Sequence, residues 1–282
     1  MAEFIADLQQ HSFLQYALLT GILASIACGI IGSYVVTRRI TYIAGAIAHS
    51  VLAGMGAARY CEIVYHWEWM RPFYGAVAAA LMAAVIVGLV SLKAKQREDT
   101  VISAVWAVGM AVGILFIFKT PGYNEYLMSY LFGNILMVSS GDLWLIAGLD
   151  VLVIGVVLLF YNQLLVVCFD EEFGRLRGIK VDFHYLTLLC LTALTVVLLV
   201  TVVGIVMVIA LLTLPVAVAG QFSKRLWHMM ALSVLLTALF TTSGIAASYG
   251  PDLPAGPTII VLAGSVYILV IVGSRFFKPG HS

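Results

Sequence analysis

Charge is scarce in this chain of 282 residues: Asp, Glu, Lys and Arg together make up 10% of it. A soluble domain carries about a quarter. The stretch from Tyr185 to Gly220 holds none of the four. A chain this poor in charge cannot cover a water-facing surface, which excludes an ordinary soluble enzyme. No Lys follows a Gly, so there is no GxxxxGK[ST] phosphate loop, and neither HExxH nor GxSxG occurs. ATP or peptide hydrolysis by those routes is therefore not expected. The cysteines Cys28, Cys61, Cys168 and Cys190 form no CxxC pair and read as scattered small apolar residues. A formal net charge of +1 offers no basic face, so no nucleic-acid partner is expected. Met1 to His11 carry Glu3 and Asp7 but no Lys or Arg, so no cleaved signal peptide is expected.

What fills the chain is apolar: 62% of it is hydrophobic. A bilayer core of roughly 30 Å takes about 20 apolar residues as helix, so Tyr185 to Gly220 suffices for two crossings. Lipid cannot satisfy the edges of an open sheet, and a barrel would alternate polar with apolar residues, which these runs do not. The reading is all-α: a polytopic transmembrane bundle forming one domain over 1–282. About nine segments are expected, near 13–36, 41–60, 72–92, 100–118, 143–161, 184–203, 205–221, 229–248 and 257–274. Arg38, Arg39, Lys93, Lys95, Arg97, Arg175, Arg177, Lys180, Lys224, Arg225, Arg275 and Lys278 fall on one side. Only Arg59, Arg71 and Lys119 fall on the other. The positive side is expected to be cytoplasmic, which puts the N-terminus outside and the C-terminus inside.

Chemistry concentrates in the second segment. Ile43 to Ala58 is packed with Gly, Ala and Ser, residues that let helix backbones approach closely in lipid. His49 lies about eight residues in, or about 12 Å deep, where an ionisable group is a functional candidate and imidazole a common metal ligand. A packing histidine bonded to a neighbouring carbonyl is the alternative. The longest polar piece between segments is Phe169 to Ile179. Asp170, Glu171 and Glu172 lead and Arg175 follows, which suits the dipole of a short helix, and Gly178 is placed to end it. Phe169, Phe173 and Leu176 make an apolar stripe, either packed on the protein's own helices or docking a cytoplasmic partner. On the opposite side, Glu62, His66 and Glu68 are of metal-binding types, and Glu62 and His66 share a face if their helix continues. His11, His184, His228 and His281 read as solvated or interfacial, and Pro215 as a kink that frees a carbonyl.

These pieces together resemble the metal-uptake permease family of bacterial zinc and manganese ABC importers. The similarity lies in Gly32-Ser-Tyr-Val-Val-Thr-Arg-Arg39, Ala48-His-Ser-Val-Leu-Ala-Gly54, Glu98-Asp-Thr100, Leu131-Phe-Gly-Asn134, Phe169-Asp-Glu171 with Gly178-Ile179, Leu211 to Ala219, and Asp252-Leu-Pro-Ala-Gly-Pro257. Each motif is weak alone, but their order along the whole chain is specific. The resemblance implies a homodimer in the bacterial inner membrane that contacts membrane lipid. It implies a cytoplasmic ABC ATPase subunit docked on residues 169–179, carrying the ATP, and an extracytoplasmic metal-binding protein as donor. It also implies no permanently bound cofactor, with a divalent metal as cargo. The family's pathway Asp, four residues before the His, is Gly45 here, and its Ala in the cytoplasmic helix is Gly174. Loss of a hard oxygen ligand tilts the expected ion to zinc, with manganese or iron as alternatives. A stand-alone ion-driven carrier would need paired intramembrane charges, and only His49 and Asp150, read as near the outer face, are available.

Overall fold

The computed structural model describes residues 7, 11–67, 69–93, 98–121, 133, 135–251 and 253–277. Lys95, Arg97, Lys278 and His281 lie outside the described residues, as do Glu68 of the outer loop, Leu131, Phe132 and Asn134 of the expected turn, and Asp252. The helices are α1 (Ser12–Thr37), α2 (Thr41–Val64), α3 (Pro72–Lys93), α4 (Glu98–Lys119), α5 (Ser140–Phe169), α6 (Glu171–Leu176), α7 (Val181–Val203), α8 (Ile205–Phe222), α9 (Leu226–Tyr249) and α10 (Ala255–Phe277). A 3₁₀ turn at Ile135–Met137 precedes α5. No strand occurs among the described residues. All but α6 are long and apolar enough to cross a bilayer, which makes nine candidate spans among those residues.

Each expected segment falls within one helix. The largest difference is α5, which runs 30 residues where the sequence suggested an end near Tyr161. A reciprocal cap starts it: Ser139 Oγ accepts from the Asp142 amide at 3.3 Å, and the Ser139 amide donates to the Asp142 carboxylate at 2.9 Å. Phe160 departs from helical geometry (φ −115°, ψ 20°), and the helix continues beyond it through Asn162 and Gln163.

Two groups pack side by side. The helices α2, α3 and α4 touch one another, α1, α8, α9 and α10 form the second group, and α7 meets members of both. In the first group α2 crosses α3 backbone to backbone: a Cβ on Gly54 would stand 2.0 Å from the Gly75 carbonyl oxygen. The small-residue composition of α2 is thus spent on close approach.

A single residue, Gly204, separates α7 from α8, with φ 83° and ψ 161°. That region of backbone space is essentially open to glycine alone. Gly133, itself at φ 66°, presses against the joint, where a Cβ on it would lie 2.1 Å from the Val203 carbonyl carbon. Gly204→Ala is expected to cost about 1–3 kcal/mol. Thermal unfolding of the detergent-purified protein measures it, and an unchanged midpoint would show that the joint relaxes.

Candidate functional site

Ile43 to Ala48 of α2 are buried, and His49 is the first residue after them to be partly exposed. Because α2 starts at Thr41, His49 lies about 12 Å into the span. Its imidazole stacks on the indole of Trp106 from α4, with ring centroids 4.6 Å apart and planes 20° apart. The Nδ1 atom is buried and has no hydrogen-bond partner. The alternative expectation, a packing histidine bonded to a carbonyl, is not met at that nitrogen. Trp106 also covers Gly45, one turn earlier: a Cβ there would meet indole Cζ3 at 2.8 Å. Next to it, Ser50 donates to the Ala46 carbonyl at 2.8 Å, and Gly109 of α4 lies close against Ser50.

Among the described residues no cluster of three or more His, Cys, Asp or Glu is placed to hold a metal ion. The outer pair does not come together as expected. The α2 helix ends at Val64, and His66 turns into the left-handed region at φ 54°, so it leaves the face that Glu62 occupies. Glu62 instead accepts from Arg59 Nη1 at 2.8 Å. His184 corrects the sequence reading as well. It is buried, its Nδ1 lies 2.8 Å from the Lys180 carbonyl oxygen, and its ring meets the edge of Phe160. Asp150, expected near the outer face of its segment, lies about 15 Å into α5, which starts at Ser140, and is 4% exposed. Its carboxylate faces the backbone of Ala27 in α1.

The stretch 169–179 folds as a capped helix outside the spans. Asp170 accepts from the Phe173 amide at 2.9 Å, Glu171 and Glu172 occupy the first turn, and Arg175 the last. Gly178 ends it at φ 76°, with Ile179 N–H on the Gly174 carbonyl at 3.0 Å and Gly178 N–H on that of Arg175 at 3.1 Å. The helix has two faces. Gly174 is buried against α5 and α7, where a Cβ would meet Val166 Cγ1 at 2.6 Å. On the other, Phe173 and Leu176 are 44% and 88% exposed; Phe169, 66% exposed, ends α5 instead, because Asp170 (φ −155°, ψ 89°) breaks the single helix expected of the stripe, and none of the three is covered by the chain's own helices.

Arg38, at the end of α1, ties this helix to the bundle. It pairs with Glu171 and lies over the Tyr185 ring of α7, 5.5 Å from its centroid. Arg38, Asp170, Glu172, Ser91 and Tyr185 help line a cavity of about 400 Å³ between α6 and the spans. Sequence reasoning did not find Trp106 or Arg38's partners. The indole was the one available signal for the first, a bulky ring on a helix with glycines at Gly109 and Gly113.

Comparison with known proteins places these features. Residues 10–274 match the family described as ABC 3 transport family. A membrane protein of Chlamydia pneumoniae, named for a metal transport system, is 40% identical over 256 residues, 91% of this chain and 87% of that one. The manganese transport system membrane protein MntC of Halalkalibacterium halodurans is 34% identical over 98% of this chain and 91% of its own. Among solved structures, PsaBC from Streptococcus pneumoniae in complex with Fab matches with a TM-score of 0.83 at 30% identity, covering 95% of this chain and 94% of that one. The chain is a multi-pass membrane protein and belongs to the ABC 3 transport family.

Proposed function

We propose that this chain is the membrane-spanning permease subunit of an ATP-driven importer for a divalent transition metal. It works as a homodimer, each copy docks one cytoplasmic ATPase subunit on α6, and an extracytoplasmic metal-binding protein delivers the ion. The observation that carries this reading is α6 itself: a capped helix outside the spans, anchored on its Gly174 face and through Arg38, with Phe173 and Leu176 uncovered. An ATPase supplies the energy that the described residues, lacking a phosphate loop, do not.

Manganese is the first cargo to test, because the Halalkalibacterium relative carries that name. Zinc is the second reading, favoured by the nitrogen of His49 and the missing carboxylate at Gly45. One copy offers a single imidazole at this depth, and four ligands is the usual number for zinc, so a second copy or solvent completes the coordination.

The test is uptake by vesicles holding the purified complex of this chain with its ATPase. Accumulation of manganese or zinc that requires ATP supports the reading. Accumulation without nucleotide would point to a stand-alone carrier. Orientation is checked separately: reporter fusions at Gln96 and Ser282 should report cytoplasm and one at Tyr123 the outside, following the Lys and Arg distribution. A cytoplasmic signal at Tyr123 would overturn the assigned sides.

A further inference from the structure

We propose that Trp106 and Gly45 act as one steric unit that sets which ions His49 can hold. The inference rests on His49 lining the metal path. The two residues are about sixty positions apart in sequence and meet only because α4 lies along α2.

Position 45 is one helical turn before His49, the spacing at which two side chains on a helix can share a ligand. A Cβ at 45 would stand 2.8 Å from Trp106 Cζ3 and 3.2 Å from Cη2, so a side chain there requires the indole to move. The indole therefore occupies the volume from which a second ligand on α2 would reach an ion beside His49. The same ring lies flat on the imidazole, 4.6 Å between centroids, and fixes its plane. In this arrangement the buried Nδ1 has no protein hydrogen-bond partner. Trp106 thus does two things at once: it excludes an oxygen ligand from position 45, and it orients the nitrogen ligand that remains. It is a positioning and selectivity residue, and it touches no ion itself. A station that offers imidazole but no carboxylate holds a hard ion such as manganese less tightly than one that offers both.

This predicts that Gly45 and Trp106 are strongly coupled. Four forms of the full transporter are compared: wild type, Gly45→Asp, Trp106→Ala, and the two combined. Uptake of radioactive manganese and zinc is measured in vesicles with ATP, and manganese binding to the purified full-length chain is measured by equilibrium dialysis. Gly45→Asp alone should lose uptake of both ions by at least about ten-fold, because the new side chain displaces the stacked rings. In the combined form the carboxylate fits where the indole was. Uptake should recover, and the ratio of manganese to zinc should rise by about ten-fold or more over wild type. Trp106→Phe keeps a ring on His49 and should keep the wild-type ratio, which a merely structural role would not distinguish from Trp106→Ala. Additive effects of the two substitutions, or Gly45→Asp alone giving the shifted ratio at the wild-type rate, would overturn the proposal. A wild type that carries neither ion would overturn the transport reading alone. Dialysis then still decides here: the combined form must bind manganese more tightly than wild type, and equal binding refutes the unit.

Discussion

His49→Ala is expected to abolish metal-dependent growth and to cut uptake in vesicles by more than about 100-fold. Even the outer partners of metal ligands cost 10–100-fold when removed, and His49 would be a direct ligand. The imidazole sits about 12 Å into the span, on a helix whose neighbouring positions are buried small residues. Its loss should leave the fold intact for reasons visible around it. The ring is partly exposed, and its buried nitrogen has no hydrogen bond to lose. Only the stack on Trp106 disappears, worth about 0.5–1.5 kcal/mol. Expression and recovery of the complex should match wild type, so that transport and stability separate cleanly. Uptake at the wild-type rate would show that the path does not depend on His49.

Phe173→Ala is expected to weaken capture of the ATPase by about 30-fold, the equivalent of a 2 kcal/mol interface anchor. Phe173 lies on the uncovered face of α6, and Arg177 lies over its ring at 4.7 Å, so the side chain is presented rather than loose. Truncation should not unravel α6. What Asp170 caps is the amide of residue 173, not its ring, and the closing bonds at Gly178 are main-chain bonds. Co-purification of the ATPase should fall while the thermal midpoint of the membrane subunit holds. Normal complex yield with normal coupled ATP hydrolysis would refute the docking assignment.

The spans were legible because lipid leaves so few options: a run without charge, long enough, must be helix. The charge order and closing Gly178 of α6 were legible for a related reason, since both are local to one short helix, but the break at Asp170 that leaves Phe169 in α5 was not. The end of α5 was not. Tyr161, Asn162 and Gln163 look like an interface, yet the helix absorbs a distorted residue at Phe160 and carries on to Phe169. Rotation of the spans was the larger gap. A helix that is apolar all round carries no stripe to say which face is inside. The meeting of Trp106 with Gly45, and the burial of Asp150 and His184, depend on how helices distant in sequence settle together. The Glu62 and His66 pairing failed on a single backbone feature, the left-handed turn at His66, which no composition announces.

The packing of α1 has a consequence for how the molecule is made. Its covering helices are α5, α8 and α9, whereas α2, α3 and α4 cover one another as they emerge. Synthesis runs at about 5–20 residues per second, so the segment from residue 38 to 225 takes on the order of ten to forty seconds before α9 exists. During that interval the part of α1 that α9 will cover stays bare to lipid. Ser25 and Ser33 of α1 already bond carbonyls of their own helix, Ile22 and Gly29, at 2.6 Å each. Waiting therefore leaves those hydroxyls satisfied, and α1 can be among the last of these helices to find its full set of neighbours.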